Sequence, residues 1–159
     1  MKNLRECNGT YKGIIGEYMF GLSEEKVFLT RFHGKAKYLP IIQKYLNFKQ
    51  KQFIDMYWYS IDAIKIQYNN NNNNNNTSQV ILYEIKTKNK YNTELNYKPK
   101  MTKATHEMYN YAKELGFITK LVTIFFHENW NFSIEIIDFD EKYYCIDKPK
   151  CYDRNTNIC

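Results

Sequence analysis

At 159 residues the chain is sized for one domain with a single core. Its formal charge of +6 is unevenly spread: residues 1–68 carry 11 Lys/Arg against 6 acids and residues 77–122 carry 8 against 4, whereas residues 123–159 reverse to 4 against 7. A basic body suits a polyanionic partner, although Lys, Asn, Ile and Tyr are all abundant here and charge alone decides little. Lys2, Arg5, Glu6, Lys12 and Glu17 interrupt the N-terminal stretch, and no uncharged apolar run is long enough to span a bilayer. Neither a secretory signal nor a membrane partner is expected, and the expected location is intracellular, in cytoplasm or nucleus. Cys7, Cys145, Cys151 and Cys159 form no Cys-x-x-Cys pair, so free thiols are expected rather than a zinc site.

Residues 11–22 place Ile14, Ile15, Tyr18, Met19 and Leu22 at helical spacing, with Glu17 facing away from most of that stripe. Lys26 to Phe32 reads either as a short strand or as the continuation of a helix begun at Ser23. Pro40 to Lys51 reads as a helix started by its proline, with Ile41, Ile42, Tyr45, Leu46 and Phe48 on one face. Strands are expected on either side of the eight asparagines Asn69–Asn76, one carrying Ile61, Ile64 and Ile66 and the other Val80, Ile81, Leu82 and Ile85. The asparagine run itself reads as an exposed hairpin loop that buries nothing. Thr102 to Leu115 reads as a helix ended by Gly116, with Ala104, Met108, Tyr111, Ala112 and Leu115 inward. Phe117 to Phe126 and Phe132 to Phe139 read as strands, the second with Ile134 and Ile136 inward and Ser133 and Glu135 outward. The domain is therefore expected over residues 1–139, with a polar tail over 140–159.

The two strands beside the asparagine run carry ionisable groups where apolar ones belong: Asp62 in the first, Glu84 and Lys86 in the second. Alternation along a strand puts Glu84 and Lys86 on one face, and a hairpin sets Asp62 beside them. Buried carboxylates are costly unless they bind something, and a divalent cation between Asp62 and Glu84 would satisfy them. Mg²⁺, a hard cation suited to oxygen ligands, is the expected cofactor, with Mn²⁺ as the alternative. Beyond Lys86 follow Lys88, Lys90, Lys98, Lys100 and Lys103, interleaved with Tyr91 and Tyr97 and opposed only by Glu94. Lysines contact phosphates as point charges and tyrosines stack on unpaired bases, which makes this stretch the candidate nucleic-acid-binding segment.

An acid in one strand followed by Glu-x-Lys in the next resembles the PD-(D/E)XK nuclease superfamily. The resemblance spans about Lys12 to Phe126; Ile61 stands where the family has proline, and Asp62 and Glu84 lie 22 residues apart because of the asparagine insert. It implies an α/β, restriction-endonuclease-like core, a central mixed β-sheet flanked by helices. It also implies a metal site of Asp62, Glu84 and the backbone carbonyl of Ile85, with Glu17 from the first helix near it. Lys86 would then orient or deprotonate the attacking water and offset charge in the transition state. Other chemistries fit less well: His106-Glu107 lacks a second histidine, Asn110 standing in its place, and no glycine-rich phosphate loop occurs. The expected function is Mg²⁺-dependent hydrolysis of nucleic acid, DNA ahead of RNA. A nucleic-acid-binding protein without catalysis and a structural or protein-interaction domain are the rivals.

Overall fold

The computed structural model describes residues 4–70, 76–90 and 97–147. After a 3₁₀ turn at Leu4–Glu6 come α1 (Gly9–Ser23), β1 (Val27–Leu29), α2 (Lys35–Gln43) and α3 (Phe48–Tyr57). A second 3₁₀ turn, Trp58–Ser60, leads into the hairpin of β2 (Ala63–Asn70) and β3 (Asn76–Asn89). Then follow β4 (Lys100–Met101), α4 (Lys103–Glu114), β5 (Ile118–Phe126), β6 (Phe132–Asp138), a 3₁₀ turn at Glu141–Tyr143 and β7 (Cys145–Ile146). The architecture is α/β: a mixed five-stranded sheet in the order β1-β2-β3-β5-β6 with helices on both faces. Strands β1, β2 and β3 are antiparallel neighbours, α4 carries the chain from β3 to a parallel β5, and β6 returns antiparallel. β4 and β7 form a separate parallel pair.

The central strand β3 is buried on both faces, as expected where helices cover a sheet from either side. Val80 and Leu82 point to one face, where they meet Ile42 of α2, Ile54 of α3, and Met108 and Ala112 of α4. Ile81, Tyr83 and Ile85 point to the other, where Phe20 of α1 packs with Val122 and Ile124 of β5. Each large apolar side chain buried in these layers contributes about 1.5–3 kcal/mol relative to exposure. The helix ends follow local chemistry: the Thr102 side chain accepts the Thr105 N–H to cap α4, and Gly116, at φ +91°, takes the left-handed conformation that ends it.

Several expectations are revised. The expected stripe of α1 meets the sheet only in part: Ile15 and Met19 pack against the core, but Tyr18 and Leu22 are exposed, and the buried residues are Gly16, Glu17 and Phe20. Close approach at Gly16 sets the buried side, because a Cβ added there would clash with Thr87 Cγ2, whereas one added at Gly13 would meet nothing within 4 Å. Gly13→Ala is therefore expected to gain up to about 1 kcal/mol of helix propensity. Gly16→Ala should instead be destabilised by about 1–3 kcal/mol relative to Gly13→Ala, as overpacking costs. Denaturant unfolding of the two variants checks this; equal gains would show that the close approach imposes no constraint.

The expected helix over Pro40–Lys51 is two helices. Pro40 lies inside α2, and α3 starts afresh at a capping box in which Asn47 and Gln50 exchange side-chain-to-backbone hydrogen bonds. Lys26 to Phe32 resolves into the short strand β1, entered through Lys26 at φ 58°. The first strand of the hairpin starts at Ala63, so Asp62 stands just before it. The hairpin ladder runs into the asparagine tract, pairing Asn69 with Thr77 and Asn70 with Asn76; residues 71–75 of the expected loop lie outside the described residues. Tyr111, expected inward, is exposed, and so is Ile136, because β6 is an edge strand. The first part of the expected tail is packed into the fold: Tyr144 is buried against Phe139, and β7 pairs with β4. The rest of that expected tail, residues 148–159, lies outside the described residues. No helix among the described residues is long and apolar enough to cross a membrane.

Candidate active site

The β2–β3 ladder begins with Ala63 opposite Tyr83, so one step further sets Asp62 opposite Glu84. Asp62 is held by its backbone and its side chain: its carbonyl accepts the Thr30 N–H at 3.1 Å, and its Oδ2 accepts the Ile85 N–H at 2.8 Å. The Thr30 hydroxyl donates to the Ile61 carbonyl, tying the segment after β1 to the start of β2. Glu84 is buried among β2, β3 and α4, and Lys86, on the same face of β3, puts its Nζ 3.0 Å from Glu84 Oε1. From α4, the fully buried Tyr109 donates its hydroxyl to the Tyr83 carbonyl at 2.8 Å and also reaches the Glu84 carboxylate.

These contacts perturb the ionisations. Burial first, and then the Glu84 carboxylate, push Asp62 well above the usual carboxylate range, against the opposing Ile85 N–H. Burial likewise raises Glu84, while the Lys86 ammonium and the hydrogen bonds from Tyr109 and Asp62 pull it back. Tyr109 is raised by burial and by both carboxylates, so it remains a neutral donor. Two acids confined together in a low-dielectric site, with one ammonium between them and solvent, form the arrangement in which a proton or a cation must be shared.

Glu17 of α1 is buried nearby, but its carboxylate is engaged by Arg31, whose Nε and Nη2 donate to it at 2.7 and 3.2 Å. Glu17, Thr30, Arg31, Tyr59 and Asp62 line an open pocket of about 290 Å³ through which Asp62 meets solvent. The structure therefore brings together Asp62, Glu84, Lys86 and the Ile85 amide, with Glu17 one ion pair away. Arg31 and Tyr109 belong to the same constellation and were not singled out from the sequence. Tyr109 lies next to Met108 and one helical step before Ala112, a signal that spacing offers; Arg31 sits in a loop and offers none.

The candidate nucleic-acid residues scatter more. Lys88 continues β3 beyond Lys86 and Lys90 directly follows its end; Lys88 lies over the Tyr97 ring and Lys90 over that of Phe125. Lys98 and Lys100 are exposed before α4, and Lys103 pairs with Glu107 at 3.7 Å. Tyr91 and Glu94 lie outside the described residues.

Among the described residues, no three His, Cys, Asp or Glu side chains group closely enough to hold an ion by themselves. The donor set nonetheless fits one small hard cation. Asp62 and Glu84 offer carboxylate oxygens, and the Ile85 carbonyl faces the same strand edge as its N–H, past the end of the β2 ladder. Mg²⁺ is commonly held by one or two carboxylates and several waters, so a third acid is not required. No protein-family model matches the chain, and no curated protein or solved structure matches it.

Proposed function

We propose that this chain is a divalent-cation-dependent phosphodiesterase acting on nucleic acid, DNA ahead of RNA, with a restriction-endonuclease-like core of the PD-(D/E)XK kind. The observation that carries this reading is the meeting of Asp62 and Glu84 across the end of the β2–β3 ladder, with Lys86 docked on Glu84. The passage from an antiparallel β1-β2-β3 meander through α4 to a parallel β5 supports it, since the resemblance implies a mixed sheet of this sort. Asp62, Glu84 and the Ile85 carbonyl would hold Mg²⁺ or Mn²⁺. Such an ion supplies Lewis-acid stabilisation of the scissile phosphate and lowers the pKa of a water. Lys86 orients that water and places positive charge where the phosphate gains negative charge. Arg31, held by Glu17 at the pocket mouth, offers its remaining N–H groups to a phosphate oxygen. Cys7 and Cys145 are free thiols, which suits a reducing, intracellular compartment.

One observation favours a second reading, nucleic-acid binding without catalysis: Glu17 is committed to Arg31, which leaves two acids rather than three at the centre. Incubation with linear and circular DNA separates the two. Cleavage with Mg²⁺ or Mn²⁺ that disappears in EDTA supports the phosphodiesterase. Binding without cleavage under every cation supports the second reading, and neither activity removes both.

A further inference from the structure

The face of the sheet that carries Glu84 and Lys86 continues across β5 and β6 in register. Glu84 stands beside Leu121 and Ile137, Lys86 beside Thr123 and Glu135, and Lys88 beside Phe125 and Ser133. Beyond the reach of α4 this face is open, and a cleft of about 390 Å³ lies over it. Its walls are Lys90, Tyr97, Lys98, Phe125, Glu135 and Tyr143. That volume lies in the range of pockets that enclose a small planar group, about 300–1,000 Å³. The cleft starts one strand spacing, about 4.8 Å, from the Glu84–Lys86 row.

The walls are held in place. The Lys90 N–H donates to the Phe126 carbonyl at 3.0 Å, and Arg5 donates to the Lys90 carbonyl. On the other side the Pro99 carbonyl accepts the Cys145 N–H at 2.9 Å, which ties the segment after Tyr97 to β7. Inside, Tyr97 and Phe125 stand edge-to-face with centroids 6.1 Å apart, and each ring is covered by an ammonium at 5.2 and 4.9 Å respectively. Glu135, exposed on β6, is the one carboxylate among the described residues of these walls.

We propose that this cleft holds an unpaired base of the nucleic acid next to the scissile phosphate, so that the substrate is a single strand or a frayed junction rather than an intact duplex. The proposal rests on the phosphodiesterase reading for the identity of the neighbouring site. A base entering the cleft stacks on the face of one of the two rings and meets the other edge-on, and the displaced ammonium of Lys88 or Lys90 moves to a flanking phosphate. Glu135 accepts a hydrogen bond from a donor on the Watson–Crick edge, which is presented only when the base is unpaired.

Fluorescence anisotropy in EDTA tests this without relying on cleavage. The probes are a labelled 12-nucleotide single strand, a strand of equal charge with abasic residues, and a blunt duplex. The single strand is expected to bind about 5- to 150-fold more tightly than the abasic strand, the stacking contribution of one base. Tyr97→Leu and Glu135→Ala, changes at a loop and an exposed edge, should shrink that ratio toward one, while Lys90→Ala weakens both strands. Equal affinity for the base-bearing and abasic strands, or a preference for the duplex, overturns the cleft while leaving nucleic-acid binding intact. Absence of binding to all three probes also overturns the cleft, and the cleavage assay with Mg²⁺ or Mn²⁺ decides the phosphodiesterase separately.

Discussion

Asp62→Asn or Glu84→Gln is expected to reduce cation-dependent cleavage by about 10³-fold or more, because either change withdraws a carboxylate from the ion that carries several kcal/mol of charge stabilisation. Asp62→Asn should at the same time raise the melting temperature of the metal-free protein near neutral pH. Asparagine keeps the oxygen that accepts the Ile85 N–H and removes a buried negative charge facing Glu84. The sign follows from linkage. Asp62 is raised in the folded state, so the folded protein binds more protons than the unfolded chain as pH climbs from the ordinary aspartate value of about 3.9, and stability falls across that window. The gap between variant and wild type should therefore open above about pH 4 and close below it. Loss of activity accompanied by loss of stability at every pH would mean that Asp62 is a structural acid.

Lys86→Ala is expected to lower the single-turnover rate of bound substrate by about 10²-fold with little change in affinity, the loss of a group that acts on developing charge. It should also move the acid limb of the pH–rate profile to higher pH. Lys86 is what most strongly pulls the buried Glu84 carboxyl back toward ionisation, and without it Glu84 holds its proton to higher pH. The profile separates two roles for one lysine. If the variant reaches the wild-type plateau at alkaline pH, Lys86 only keeps Glu84 ionised; if the plateau stays low, it also serves the transition state. A drop in affinity with an unchanged bound-state rate would make Lys86 a phosphate clamp and withdraw its catalytic role.

The acid pair was legible because strand alternation is a strict rule: two ionisable groups at 84 and 86 in an otherwise apolar run share one face, and a hairpin must bring its neighbour alongside. The helix faces were less so. On α1 the buried line runs through Gly16, Glu17 and Phe20, with Ile15 and Met19 only partly covered, because the nearness of Thr87 leaves no room for a Cβ at Gly16; periodicity counts hydrophobes and is blind to that geometry. The break between α2 and α3 had a local signal in the Asn47–Gln50 spacing, outweighed by a continuous run of apolar residues. The Glu17–Arg31 pair had no signal, since a loop arginine is brought to α1 only by the turn after β1. Packing of residues 140–147 rests on Tyr144, which packs on Phe139 and meets His106 from an otherwise polar stretch, while Phe139 in turn stacks on Tyr109. Tertiary contact there overrides composition.

The central claim is that Asp62 and Glu84 together hold one divalent cation. Titration of Mn²⁺ into the metal-free protein, followed by electron paramagnetic resonance of the free ion, tests it without reference to any substrate. The account predicts one binding site per chain in the wild type, competed by Mg²⁺ and absent from the Asp62→Asn/Glu84→Gln double variant. Mn²⁺ binding of equal affinity in the double variant, or none in the wild type, would contradict it.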